Sequence, residues 1–140
     1  MNAVRANREP TVISHGSIEG MYDKHNPYMM IPVEVCSADA SQLAIAMLDT
    51  GANACFISDH LRNKMNLQPF AQDQAGNAMD IVTSGVYKLW LRMGDIKLED
   101  VITMEFSNSE FLGADLVIGM NVISLGEFHV SRDGTFRLEI

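Results

Sequence analysis

The stretch Ala46-Met47-Leu48-Asp49-Thr50-Gly51-Ala52 carries an ionisable side chain into a turn directly behind an apolar run. A carboxylate delivered this way can act as a general acid or base, and two such groups held together share a proton and divide those roles. Asp-Thr-Gly by itself arises by chance in roughly a few per cent of chains of this length, so its context decides what it means. The plain alternative is a monomeric barrel in which Asp49 merely caps a turn. The other chemistry-bearing residues are scattered. Cys36 and Cys55 suit a reducing compartment, no Cys/His spacing resembles a zinc site, and His15, His25, His60 and His129 are isolated in the sequence.

The flanking pattern is that of a mostly-β domain. Met29 to Val35 and Gln42 to Leu48 are strand-like on either side of a turn at Ser37 to Ser41, an opening hairpin in which Pro32 belongs on an edge. Asp49 to Ala54 is followed by a short strand, Cys55-Phe56-Ile57. A short helix comes next, with Ser58 as N-cap, Asp59 in its first turn and Leu61 and Met65 on one face, ending before Pro69. Two strand-like stretches flank Ala75-Gly76-Asn77, the second running through Val86 to Met93. Gly94-Asp95 turns the chain into Ile96 to Leu98 and Val101 to Phe106. Leu116-Val117-Ile118 is apolar enough for burial on both faces. Met120 to Leu125 predicts one or two helical turns stopped by Gly126 as a C′ glycine. An alternating hairpin about Asp133-Gly134 closes the chain. Residues 1–27 are polar and turn-rich, with one short strand at Thr11 to Ile13, and are expected to form a loosely ordered arm ahead of a domain spanning 28–140.

The pairing of Asp49-Thr50-Gly51-Ala52 with Leu116-Val117-Ile118-Gly119-Met120-Asn121, in that order and far apart, resembles the retropepsin-like aspartic proteases, the homodimeric half-size relatives of pepsin. The resemblance covers about Tyr28 to Ile140. It implies a small closed acid-protease barrel with one or two short helices, and an aspartic endopeptidase that needs no metal or cofactor. Each subunit of such an enzyme supplies one Asp across a two-fold axis, and the two carboxylates hold the water that attacks a peptide carbonyl. None of the other aspartates sits in a second Asp-Thr-Gly or Asp-Ser-Gly, so Asp49 must meet its own copy in a homodimer.

By the same resemblance Thr50 joins the network that locks the two active-site loops together, and Gly51 lets their backbones approach. Ile118, Gly119 and Asn121 form the motif behind the loop. Ala75, Gly76 and Asn77 lie where the family carries its flap, over a polypeptide substrate bound as an extended strand; a solvent-exposed connecting hairpin is the bland alternative there. Ala52 cannot donate the hydroxyl hydrogen bond that a serine would give the carboxylate, which implies an activity optimum less acidic than that of pepsin-type enzymes, at about pH 5–6.5. A pH profile peaking near the pepsin range would contradict this. The apolar face Phe136, Leu138, Ile140 is either an intersubunit surface or part of the chain's own core. The ten methionines are core filler, with pocket lining as the alternative. A different class of function, a catalytically silent binding or dimerisation module on the same fold, competes with the enzyme; the intact Asp-Thr-Gly favours the enzyme, since a buried carboxylate pair is costly to keep.

Composition narrows the partners. With 140 residues and 47% hydrophobic content the chain makes one domain with a real core, too short for two lobes. A net charge of -8 with singly scattered Lys and Arg argues against nucleic acid and against an anionic membrane surface. No apolar run approaches the roughly 20 residues of a membrane span, and Met1 to Pro10 carries no apolar signal region, so the expected location is cytoplasmic.

Overall fold

A computed structural model describes residues 9–77, 80–106 and 113–140, with the backbone alone for 71–77 and 80–84. Its strands are β1 (Thr11–Ser14), β2 (Ser17–Met21), β3 (Met30–Cys36), β4 (Ser41–Leu48), β5 (Cys55–Ser58), β6 (Ala71–Asn77), β7 (Asp80–Met93), β8 (Ile96–Phe106), β9 (Leu116–Ile118), β10 (Glu127–Val130) and β11 (Thr135–Glu139). Two short helices, α1 (Asp59–Met65) and α2 (Met120–Ile123), complete it. The main sheet runs β1-β8-β5-β9-β4-β3-β7-β6, and β7 also pairs with β8. That extra pairing brings the sheet back on itself, so β8, β5, β9, β4, β3 and β7 close a six-strand barrel, with β1 and β6 attached outside the ring. The mostly-β closed barrel with two short helices is therefore as the sequence implied.

Alternation explains the core. Ile31, Val33 and Val35 of β3 point inward while Pro32 is exposed. Pro32 pairs with Ile45 on one side, and the β7 partnership begins only at Glu34, so the missing N–H falls on a local edge. In β9 all three residues are buried: Leu116 and Ile118 enter the main core and Val117 a second apolar cluster on the other face, while β4 and β5 pair with its two edges.

Helix α1 follows its sequence signals. Ser58 caps it by accepting the Leu61 amide at 3.0 Å, and Leu61 and Met65 are its buried residues. The Ser58 hydroxyl also donates to Asp115 Oδ1 at 2.8 Å, tying the helix to the segment that leads into β9. Ser58 is fully buried, so Ser58→Ala removes a cap and leaves the carboxylate without that donor. The expected loss is about 2 kcal/mol in a urea unfolding titration.

The amino-terminal region departs from the expected loose arm over residues 11–21. β1 pairs with β8, and β2 pairs with β11 to make a second sheet in the order β10-β11-β2. Thr11 to Ile13 was visible as a strand. β2 was not, because Gly20 interrupts it one residue before its end. A Cβ there would overlap the Phe136 ring, so the glycine is what lets the strand cross that side chain. Phe136 and Leu138 are buried against the chain's own core, and Ile140 packs against it. That face therefore serves the chain's own interior. Gly126 does not act as a left-handed C′ residue, since its φ is not positive. It is a close-approach position, where a Cβ would overlap the Glu139 carbonyl.

Candidate active site

β4 and β9 lie in parallel register, Ala46 opposite Leu116, Met47 opposite Val117 and Leu48 opposite Ile118. The residues that follow each strand, Asp49 and Gly119, therefore emerge side by side. The Asp49 amide donates to the Ile118 carbonyl at 2.9 Å, and the Met120 amide donates to the Ala52 carbonyl at 2.7 Å, so the two loops are stitched along their length. Asp49, Thr50, Gly51 and Ala52 are brought together with Ile118 and Gly119, although about 70 residues separate the two motifs.

Within the turn the Gly51 amide donates to Asp49 Oδ1 at 2.8 Å, and the Ala52 amide donates to the Asp49 carbonyl at 3.2 Å. A Cβ on Gly51 would stand 3.2 Å from that same carboxylate oxygen, a crowded contact, so glycine suits the position within one chain before any second chain is considered. Asp49 is half-buried while Thr50 and Gly51 are exposed, and among the described residues the Thr50 hydroxyl has no hydrogen-bond partner. The turn thus offers its carboxylate and its hydroxyl outward.

Gly119 is packed hard against the back of the loop. A Cβ there would overlap the Ala54 carbonyl oxygen and lie 2.9 Å from the Ala52 oxygen. Asn121 supports the loop from below: its Oδ1 accepts from the Cys55 thiol at 3.3 Å and its Nδ2 donates to the Ile102 carbonyl at 3.2 Å. Burial pushes the Cys55 thiol up to about 12, against the smaller opposing effects of its hydrogen bonds with Gly119 and Asn121. Cys55 is consequently a neutral donor and not a nucleophile.

The strand registers also build something that residue types alone did not indicate. Met30 lies opposite Met47, Met47 opposite Val117, Val117 opposite Phe56, Phe56 opposite Met104, and Met104 opposite Val86. Directly paired residues share a face, so these six form a continuous apolar row across the sheet. Met47, Val117 and Ala114 form a buried cluster separate from the main core, with Met30, Ala52, Phe56 and Phe106 packed on it. Met47 is two residues from Asp49 and Ala52 belongs to the same turn, which places this apolar cluster, with the half-buried Met30, Ala52 and Phe56 at its margin, beside the carboxylate. The methionines divide accordingly: Met93 is core, while Met30, Met47 and Met104 belong to the row.

Ala75, Gly76 and Asn77 do not lie in the barrel. β6 and β7 pair from Ala71 opposite Val86 to Asn77 opposite Asp80, whereas β7 and β8 pair only from Val86 onward. The backbone of the β6–β7 ribbon thus extends past the barrel's last β7–β8 pair; residues 78 and 79, including Ala78 of the expected tip, lie outside the described residues. At the foot of the ribbon Arg62 Nε lies 2.8 Å from Glu105 Oε2, and the Tyr87 hydroxyl donates to Glu105 Oε1 at 3.2 Å. Burial, then the Glu105 charge, pushes the Tyr87 phenol up to about 12, so it stays a protonated donor. A Cβ on Gly85 would meet the Tyr87 hydroxyl at 2.8 Å, so a larger residue there would push the phenol aside.

No protein-family model matches the chain, and no curated protein matches it in sequence. Among solved structures it is similar to the crystal structure of a retropepsin-like aspartic protease from Rickettsia conorii, with a TM-score of 0.65, 12% sequence identity and 94% of each chain covered. At that identity the likeness is one of fold. Among the described residues, no helix is long and apolar enough to cross a membrane.

Proposed function

We propose that the chain is one half of an aspartic endopeptidase, in which two Asp49 carboxylates meet across a homodimer two-fold axis and activate a water against a peptide carbonyl. The observation that carries this reading is the stitching of the Asp49 turn to Ile118 and Gly119, which fixes a half-buried carboxylate at the rim of a closed barrel with its flanking residues outward. The fold likeness to an aspartic protease supports it. Two carboxyl groups about 3 Å apart cannot both ionise, so one deprotonated member takes the proton of the water while the protonated member donates to the carbonyl oxygen. The titration steps belong to the pair. Thr50, whose hydroxyl has no partner among the described residues, is suited to bond across to the second turn. Neither a metal nor a cofactor enters the scheme.

The half-buried Met30, Ala52 and Phe56, packed on the buried Met47 and Val117, give the substrate side its character. A bound peptide lying beside Asp49 presents alternate side chains to this surface, so large apolar residues next to the scissile bond are favoured. The β6–β7 ribbon is the element suited to cover that peptide. Incubation with a diverse peptide library at several pH values, comparing wild type with Asp49→Asn, tests the proposal. Cleavage beside Leu, Phe or Met that disappears in the variant supports it; cleavage that survives refutes the mechanism. A dimer that cleaves nothing in either form supports the silent binding module instead. Its cellular location we propose to be cytoplasmic, as the two unpaired cysteines favour.

A further inference from the structure

The outer face of the β10–β11 ribbon brings together donors that are far apart in sequence. Glu127 lies directly opposite Glu139, and His129 lies two residues along β10 on the same face. One carboxylate oxygen from each glutamate and one imidazole nitrogen all lie within 4.8 Å of one another. We propose that Glu127, His129 and Glu139 form a surface binding site for a divalent transition-metal cation, with zinc as the reference ion.

Three observations support this. The donor set mixes one imidazole nitrogen with two carboxylate oxygens, which suits zinc and its neighbours and distinguishes it from a patch of acids that would attract any cation. The His129 Nε2 to Glu127 Oε1 separation is 3.4 Å. Two ligands at about 2.1 Å from a tetrahedral ion stand about 3.4 Å apart, so this pair already has the bite of such an ion. The scaffold is also preorganised. Phe128 and Phe136 pack edge to face behind the ribbon with centroids 6.4 Å apart, Leu138 is fully buried, and Gly16 and Ile140 exchange two backbone hydrogen bonds at 3.0 Å. The three donors thus project from a backbone whose register is fixed from the other side.

The remaining groups on this face are compatible with a cation. Arg137 lies opposite His129, and Glu19 on β2 lies opposite Arg137, offsetting its charge, while Ser17 lies opposite Glu139. The three ligands leave a fourth tetrahedral position for water. A bound ion would join β10 to β11 at the end of the hairpin remote from the Asp133-Gly134 turn. The site shares no residue with the Asp49 turn, so it stands or falls independently of the proposed peptidase.

Zinc chloride titrated into the full chain by calorimetry, with Glu127→Gln, His129→Ala and Glu139→Gln alongside, decides the matter. These side chains are exposed, so the variants are expected to keep the wild-type circular dichroism. The expected result is one equivalent of zinc bound in the micromolar range, weakened about tenfold or more in each variant. Cobalt(II) should give a visible absorption band that the three variants lose, and magnesium should not compete at equal concentration. No binding at millimolar zinc, or binding that the three variants share unchanged with wild type, would overturn the proposal.

Discussion

Asp49→Asn is expected to abolish peptide hydrolysis, by about four orders of magnitude or more in kcat/KM, while leaving the fold intact. The substitution keeps the size and shape of the side chain, and the asparagine oxygen can still accept the Gly51 amide that now reaches Asp49 Oδ1 at 2.8 Å. On the proposed mechanism it removes the negative charge that takes a proton from water and the exchangeable proton that the pair shares. In the proposed homodimer both members of the dyad change at once, so no residual carboxylate remains to act alone. The check is a single-turnover assay on a cleaved library peptide, with thermal unfolding run on the same samples. A large loss of rate with little change in Tm assigns the carboxylate to chemistry; an equal loss of both would make it a structural cap.

The second large effect falls on stability. Gly119→Ala places a methyl group into the Ala54 carbonyl and 2.9 Å from the Ala52 oxygen, and neither neighbour is a flexible side-chain end that could move aside cheaply. Ala52 is held by the Met120 amide at 2.7 Å, and Ile118 on the other side holds Asp49 at 2.9 Å, so relieving the overlap means separating the two loops. A cost of about 3–5 kcal/mol follows, comparable to a severe core substitution. For a chain of this size that corresponds to a fall in Tm of about 10 °C or more, or to a failure to fold. Gly113, with a φ of +86° and open space around its Cβ position, provides the contrast. Gly113→Ala suffers only from the backbone conformation and should lose about 1 kcal/mol. If the two alanine variants unfold at the same denaturant concentration, the packing of Gly119 against the loop is not what holds the site.

Much of the fold was legible because local signals and tertiary context agree. Ser58 caps α1 where the sequence placed a cap, the Leu61 and Met65 stripe faces inward, and the run Leu116 to Ile118 is buried on both faces. The Asp133-Gly134 hairpin has the expected strands. Elements that depend on a distant partner were hidden. β2 is recognisable only once Phe136 is known to lie over Gly20, and the reason for glycine at 126 is a strand 13 residues downstream, the carbonyl of Glu139. The apolar row beside Asp49 was invisible for a related reason. Leu43 to Leu48 is apolar throughout, so alternation gives no clue that Met47 faces away from the main core. Likewise Glu139 stands ten residues from His129, and only the hairpin register brings them together.

Asp49 could be singled out because its carboxylate sits in a turn between two strands. The proposed dyad needs a second carboxylate, which a single chain does not supply. Mixing wild-type chain with Asp49→Asn chain, under conditions where subunits exchange, tests it directly. If each working site needs Asp49 from two chains, activity per total protein follows the square of the wild-type fraction, and an equal mixture retains about a quarter of the wild-type activity. Activity that falls linearly, to about half in the equal mixture, would mean that one Asp49 suffices and would contradict a dyad shared between two copies.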